Sequence, residues 1–333
     1  NNIKLHHLCY KHIRNNTNLS ANLTVRAIRR VSQCMTRYKR FGGQPKLFKS
    51  TSVDYDARIF SYREQDESVS LTTVNGRAHI PLQLGEYQRQ YLRGKKPTSA
   101  VLKRYGKTWF INIVVDDGEV ELIKSDKVLG IDMGIRNTIT TSDGQLISGK
   151  TRQVVKEKRN RIRASLQSKG TTGTKRVLKR LSGKERRRTS WENHNLSKNV
   201  IRECLMSPNV GLIRLEDLTN IRKRTKVWNK HLNRMISGWS FGELQFMIKY
   251  KAARAGIRVE TINPAYTSVT CSSCGEQGER HQDEFNCKTC GVIHADFNAS
   301  KNIARGGVIV THPGSNVVNK RKLVHNKSKA MGL

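Results

Sequence analysis

Four cysteines and three acids are the residues of this chain whose type and spacing suit them to chemistry. Cys271, Cys274, Cys287 and Cys290 read C-x2-C-x12-C-x2-C, and a glycine, Gly275 or Gly291, follows each pair. Two such tight turns bring four thiolates to the corners of a tetrahedron, the closed structural site of Zn2+. The competing readings are a redox dithiol or an iron–sulfur cluster, and neither needs two symmetric knuckles with glycines. With sulfur in every position, no coordination site is left open for catalysis. His281 and His294 lie nearby as alternative ligands, read first as surface or nucleic-acid-contacting residues.

The acids are further apart. Asp132 lies inside VLGIDMGIRNTITTS, an apolar run that reads as a buried strand, where a carboxylate is costly unless a metal or a cation neutralises it. Gly130 and Gly134 beside it leave room for something bulky and anionic to approach the backbone. The bland alternative is a turn aspartate closing a core strand. Glu216 ends a second β run, NVGLIRL, and Asp296 opens a helix in HADFNASKNIA, where capping is its bland role. Three carboxylates from a central strand, a neighbouring strand end and a C-terminal helix can hold two Mg2+ ions ~4 Å apart for phosphodiester hydrolysis. Asp143 and Asp217 are the nearest rivals, read as a turn residue and a loop residue.

The elements that must position these groups follow from periodicity. Residues 1–40 read as helical, with Ser20 as a cap and Leu23, Ala27 and Val31 at one-turn spacing, crowded by Arg26, Arg29, Arg30 and Arg37. Strands follow from Ala57, with hairpins turning at Asn75-Gly76 and Gly106-Lys107, and suggest a small barrel or curled sheet. After Asp132 come a second strand, a Ser142-Asp143-Gly144 turn and a third short strand, the way RNase H-like nuclease folds open. A basic helical hairpin, broken near Gly170 to Gly173, spans Thr151 to Met206. Its Lys158, Arg159, Lys179, Arg180, Arg187 and neighbouring cations between residues 156 and 188 face only Glu157 and Glu185. So one-sided a charge favours a nucleic-acid backbone along the helix over a solvated face. The loop Asn220 to His231, with Lys223, Arg224, Lys226 and Trp228, reads as a strand-contacting lid, Trp228 being otherwise a core anchor. A helix from Ser240 to Gly256 presents Leu244, Ile248 and Ala252 on one face and leads into the strand RVETI.

Sixty-two Lys and Arg against 26 Asp and Glu give a formal charge of +36, which calls for a polyanionic partner, nucleic acid first. No apolar run is long enough to span a bilayer and no signal peptide is recognisable, so a cytoplasmic, nucleic-acid-associated protein without a membrane partner is expected. Cys9, Cys34 and Cys204 are scattered singly, which does not suit a disulfide framework. The chain starts at Asn1 without a methionine, so an N-terminal piece is expected to be missing.

Nine stretches in order carry a resemblance: LSANLTVRAIRRV (19–31), DARIFSY (56–62), GIDMGIRNTITTSDG (130–144), LSGKERRR (181–188), ENHNLSKNVI (192–201), LEDL (215–218), SGWSFGEL (237–244), the Cys knuckles and HADFNASKNIA (294–304). The sequence resembles the transposon-encoded TnpB (OrfB) proteins, relatives of the small type V CRISPR effector nucleases. The resemblance implies a mixed α/β and β multidomain protein. Its RuvC-type RNase H-like fold would carry Asp132, Glu216 and Asp296, with a zinc ribbon inserted before the last catalytic helix. It divides the chain into a helical recognition segment (1–45), a wedge-like β-barrel (46–125), a RuvC-like domain with its basic hairpin (126–266), the ribbon (267–293) and a last helix with a basic tail (294–333). The implied activity is DNA cleavage guided by an RNA from the transposon end. Two alternatives remain: a nucleic-acid-binding regulator that does not cut, and a DNA-strand-transfer transposase. One departure is the absent strand ahead of the recognition helices, again pointing to a missing N-terminal piece. Arg26, Arg30, Lys158, Arg159, Lys179, Arg180, Arg187, Lys223, Arg224 and Trp228 are the expected nucleic-acid contacts.

Overall fold

The computed structural model describes residues 2–42, 52–206, 210–219, 221 and 230–307. The chain divides into two compact units, Asn1–Glu119 and Val120–Leu333. Among the described residues no helix is long and apolar enough to cross a membrane.

The first unit opens with α1 (Asn2–Asn16) and α2 (Ala21–Phe41). Ser20 caps α2, its hydroxyl accepting from the Leu23 backbone N–H. The buried stripe of α2 is Leu23, Thr24 and Ile28; Ala27 and Val31, expected inside, are exposed. A threonine can sit on the buried face because its hydroxyl donates to Ser20 O one turn back, at 3.0 Å, so no polar group is orphaned. Six strands follow: β1 (Ser52–Asp56), β2 (Phe60–Arg63), β3 (Ser68–Thr73), β4 (Gly76–Pro81), β5 (Pro97–Tyr105) and β6 (Thr108–Val115), with a short helix α3 (Glu86–Leu92) before β5. They pair as two antiparallel sheets, β2-β3-β4 and β1-β5-β6, around one core of Leu23, Tyr55, Ile59, Phe60, Val69, Leu71 and Ala100. Both hairpins turn where the sequence places them, at left-handed Gly76 (φ +98°) and Gly106 (φ +63°).

The second unit is a five-stranded sheet in the order β11-β10-β7-β8-β9, built from β7 (Val128–Asp132), β8 (Asn137–Thr141), β9 (Leu146–Ser148), β10 (Leu212–Glu216) and β11 (Arg258–Ile262). Strands β7, β8 and β9 pair antiparallel, whereas β10 runs parallel to both β7 and β11. Between β9 and β10 lies the expected helical hairpin, α4 (Lys150–Lys169) and α5 (Thr172–Met206), turning at left-handed Gly170. Then come α6 (Lys230–Ser237) and α7 (Phe241–Arg254). The small strands β12 (Glu279–His281), β13 (Glu284–Cys287) and β14 (Gly291–His294) precede the last described helix, α8 (Ala295–Arg305).

Strand alternation sorts the side chains. Leu129, Ile131, Ile213 and Leu215 point to one face and pack with Val200, Ile201 and Cys204 of α5 and with Leu244, Ile248 and Ala252 of α7. Gly130 and Asp132 therefore point to the other face, as do Arg214 and Glu216. Helix α8 lies against β7 on that face: a Cβ on Gly130 would stand 2.0 Å from Ser300 O and 2.4 Å from Ala304 N. This corrects the expectation that Gly130 leaves room for an anion. It leaves room for a helix, and Gly134 faces the Asn137 carbonyl in the turn to β8.

Candidate functional site

Asp132 and Glu216 end two adjacent parallel strands. In the register, Leu215 lies opposite Ile131, so the two acids follow at the same level, at the carboxyl ends of β7 and β10. The ligand-binding edge of an open α/β sheet is at such strand ends. Asp296 joins them from the first turn of α8, brought close by the helix crossing at Gly130. The bland capping role assigned to Asp296 belongs instead to His294, whose Nδ1 accepts from the Asp296 backbone N–H at 3.2 Å. The Asp296 carboxylate is thereby left to other partners.

Those partners are specific. Asn137 Nδ2 donates to Asp296 Oδ2 at 2.8 Å, and Arg280 Nη2, from β12, donates to Oδ1 at 2.5 Å. Thr267 donates its hydroxyl to Glu216 Oε1 at 2.6 Å. Gln245 of α7 donates to the Glu216 carbonyl, fixing the strand end. Burial, followed by the Glu216 and Asp296 carboxylates, pushes the Asp132 carboxyl up to about 7, against the pull of Arg280. Asp132 thus senses the other two carboxylates as charges from a desolvated place. Asp143 is paired with Lys127 in its turn, and Asp217 is exposed just past the strand, so neither rival joins them.

The cysteine centre is tighter. The four sulfurs of Cys271, Cys274, Cys287 and Cys290 lie within 4.8 Å of one another, the only set of three or more such donors so close among the described residues. A tetrahedron with Zn–S bonds of ~2.3 Å has edges of ~3.8 Å, and the Cys274 and Cys287 sulfurs are 3.5 Å apart. The donor set therefore fits Zn2+. Gly275 (φ +84°) and Gly291 (φ +78°) take the left-handed conformation that closes each knuckle. Backbone N–H groups of Ser273 and Cys290 donate to the Cys271 and Cys287 sulfurs, both at 3.4 Å. His281 is exposed beside Glu279, and His294 serves as the cap, so neither acts as a fifth ligand.

The two centres share a frame. Asn298 of α8 accepts from the Ser272 N–H and donates to Thr270 O, while Asn302 donates to Thr267 O and Thr270 O. The first knuckle and the Thr267 that holds Glu216 are gripped by one helix. Sequence reasoning missed Asn137, Thr267 and Arg280; they lie at a strand start, in a loop and in the middle of a three-residue strand, with no spacing that marks them.

The expected nucleic-acid contacts divide. In the first unit Arg26 pairs with Asp56, and Arg30 donates to the Ser52 carbonyl and hydroxyl, so both tie α2 to β1. On the hairpin, Lys158, Lys179, Arg180 and Arg187 are exposed, and Arg159 is half-buried in a cleft between α4, α5 and α6. Arg163 with Glu185, and Arg152 with Glu192, knit the two helices together, while Arg188 pairs with the same Glu192 one turn along α5. Lys223, Arg224 and Trp228, with the expected lid, lie outside the described residues.

Comparison with known proteins places this architecture. Residues 112–222 match the OrfB_IS605 family model, described as "Probable transposase", and residues 241–303 match the Cas12f1-like TNB domain model. The chain is 31% identical over 217 residues to the CRISPR-associated endodeoxyribonuclease Cas12f1 of Sulfoacidibacillus thermotolerans; the match covers 59% of this chain and 50% of that protein, so it spans half the relative's length. It is 32% identical over 194 residues to the TnpB-like protein MJ0751 of Methanocaldococcus jannaschii, covering 53% of this chain and 69% of that one. In fold it resembles a chain of the cryo-EM structure of the Cas12f1-sgRNA-target DNA complex, with a TM-score of 0.63 at 16% identity over 90% of this chain and 74% of that chain. With both family models in sequence order and a TnpB-like relative matched over more than two thirds of its length, the chain belongs to the TnpB-like family.

Proposed function

We propose that this protein is a transposon-encoded, RNA-guided DNA endonuclease that hydrolyses phosphodiesters at a divalent-metal site formed by Asp132, Glu216 and Asp296. The accompanying fold reading is a RuvC-type, RNase H-like domain for the five-stranded sheet and its helices, and a wedge-like β-barrel for the two small sheets. The observation that carries the proposal is the convergence of three carboxylates, from β7, β10 and α8, on one face at the strand ends.

The residues present fit a hard cation. Every donor is an oxygen, as Mg2+ prefers. Burial first, and then the other two carboxylates, raise the Asp132 pKa, a penalty that a cation relieves, and Arg280 already supplies part of that relief. Bound there, Mg2+ ions supply water activation and charge neutralisation at the phosphate. Asn137 and Thr267 each fix one carboxylate oxygen, so Asp296 and Glu216 are oriented before any ligand arrives. The four cysteines hold Zn2+ in a structural role, with no position free for substrate. The exposed cations of α4 and α5 follow a guide–target duplex by its backbone while base pairing supplies sequence.

The test is the Asp132→Ala protein, purified with the RNA that accompanies the wild type and given matching DNA and Mg2+. Cutting should disappear while RNA is retained; cleavage that survives in the variant overturns the assignment. The description of the OrfB_IS605 model favours a second reading, strand transfer at the same carboxylates. Joined rather than hydrolysed DNA ends would establish that reading. RNA and DNA binding with uncut DNA in the wild type would point to a regulator.

A further inference from the structure

The β5–β6 hairpin carries a feature that the proposed cleavage site does not use. Its base is anchored: Ala100 is buried, and Leu102, Ile111 and Ile113 pack on the core of the first unit. Its tip is not. Tyr105 is 80% exposed, Trp109 56% and Phe110 52%. Pairing puts Tyr105 opposite Thr108, Arg104 opposite Trp109 and Lys103 opposite Phe110. Alternation then sends Phe110 and Tyr105 to one face and Trp109 to the other, each ring beside a cation. The Arg104 guanidinium lies over the Trp109 ring, 5.8 Å from its centroid. From Lys96 to Val115 there is no acidic residue, while Lys103, Arg104 and Lys107 all crowd the turn.

Three aromatic rings left in water at the end of a hairpin are not explained by the core beneath them. Rings interleaved with cations and no acids match a strand of unpaired nucleotides, whose bases stack on the rings while phosphates meet the cations. A duplex offers only the phosphates, because its bases are already stacked on one another. We propose that the tip of the β5–β6 hairpin is a stacking platform for unpaired nucleotides of the bound RNA. This rests on the reading of the protein as RNA-guided, which supplies RNA as the resident partner. RNA loops and bulges present unstacked bases of the kind that proteins take onto aromatic side chains.

The experiment compares the full chain with its Tyr105→Ala/Trp109→Ala variant. The probes are fluorescent 12-nucleotide oligoadenylates of RNA and of DNA and a 12-base-pair RNA duplex, at ~0.3 M salt to suppress contacts that are purely electrostatic. Removing two stacking rings should weaken binding of the RNA strand about tenfold or more. Duplex affinity and melting temperature should stay unchanged, because both rings are exposed. Equal loss on strand and duplex, or no loss on either, overturns the platform. Loss confined to the DNA strand overturns the choice of RNA, and a wild-type oligomer that falls apart in the variant shows a contact between copies instead. Failure of the Asp132→Ala test would leave these binding curves unaltered, so the two ideas fail separately.

Discussion

The cysteine centre and the carboxylate centre meet at α8 but are assembled by opposite means. The four thiols come from two knuckles only 12 residues apart, closed by Gly275 and Gly291 and resting on a small core of Cys271, Phe285, Cys287 and Ala295. So few apolar groups cannot offset the entropy of ordering such a segment, so the proposed zinc ion is expected to supply the rest. Two of the carboxylates come from β7 and β10, strands fixed by the large core on one face of the five-stranded sheet, and the third from α8, packed against β7 on the other face. That site is held together by packing and exists before any ion enters it. The contrast teaches that a zinc ion at the cysteines would be a cause of its fold, whereas the gathering of the carboxylates is a consequence of theirs.

The largest effect should come from breaking the first. Cys287→Ser removes a buried thiol of the proposed zinc site, and structural Zn2+ sites carry a binding free energy of about 10–16 kcal/mol. Zinc content should fall well below one per chain, and limited proteolysis should open the ribbon between Cys271 and Cys290 while the sheet remains folded. Asp132→Ala should leave zinc content at one. If chelating zinc leaves the ribbon resistant to protease, the division between the two centres is wrong.

The next effect attacks the packing that assembles the second centre. Gly130→Ala places a methyl 2.0 Å from the Ser300 carbonyl, a backbone atom that cannot rotate away. Overpacking of this kind should cost about 3 kcal/mol, measured by urea unfolding. It should also push α8, and Asp296 with it, off the strand ends. Gly183→Ala in α5 is the control: the nearest atom to its new Cβ is the flexible end of Arg187, at 3.5 Å. Relief of a helical glycine should stabilise that variant by about 1 kcal/mol.

The same contrast explains what the sequence discloses. The knuckles are legible because local chain geometry alone places their ligands. Asp132 is legible because a carboxylate in an apolar run is out of character, and strand alternation then tells which face it takes. The partners that orient the acids are hidden. Asn137 reaches Asp296 across 159 residues, Thr267 reaches Glu216 across 51, and Arg280 sits in a ribbon whose composition marks only its cysteines. Basic residues are ambiguous for a related reason: Arg26 reads as a phosphate contact until Asp56, 30 residues away, is seen beneath it. The glycines mislead in the same manner, since Gly130 signals close approach without saying whether an anion or a helix arrives.

The smallest effect concerns the charge left when three acids are gathered by packing alone. Asp132 is pushed up to about 7, from 3.8, by burial and by Glu216 and Asp296. Its folded-state pKa lies above the unfolded one, so between those two values the folded protein holds a proton that the unfolded chain has lost. Its contribution to stability is therefore fully present below pH ~4, is lost as pH rises toward ~7 at up to about 1.4 kcal/mol per pH unit, and is flat beyond. Other carboxylates, such as Asp56 held low by its arginines, act in the opposite direction as acid is added, so the wild-type curve alone mixes the two. Subtracting the urea-unfolding stability of Asp132→Asn from that of the wild type, both metal-free, isolates the one group. The difference should fall from pH 4 to pH 7 and level off above. Excess Mg2+ should flatten the slope for the wild type alone, since a cation bound to the ionised carboxylate brings its folded-state pKa down toward the unfolded value. A flat metal-free difference would mean that Asp132 does not feel Glu216 and Asp296, and that packing has not gathered the three acids into one site.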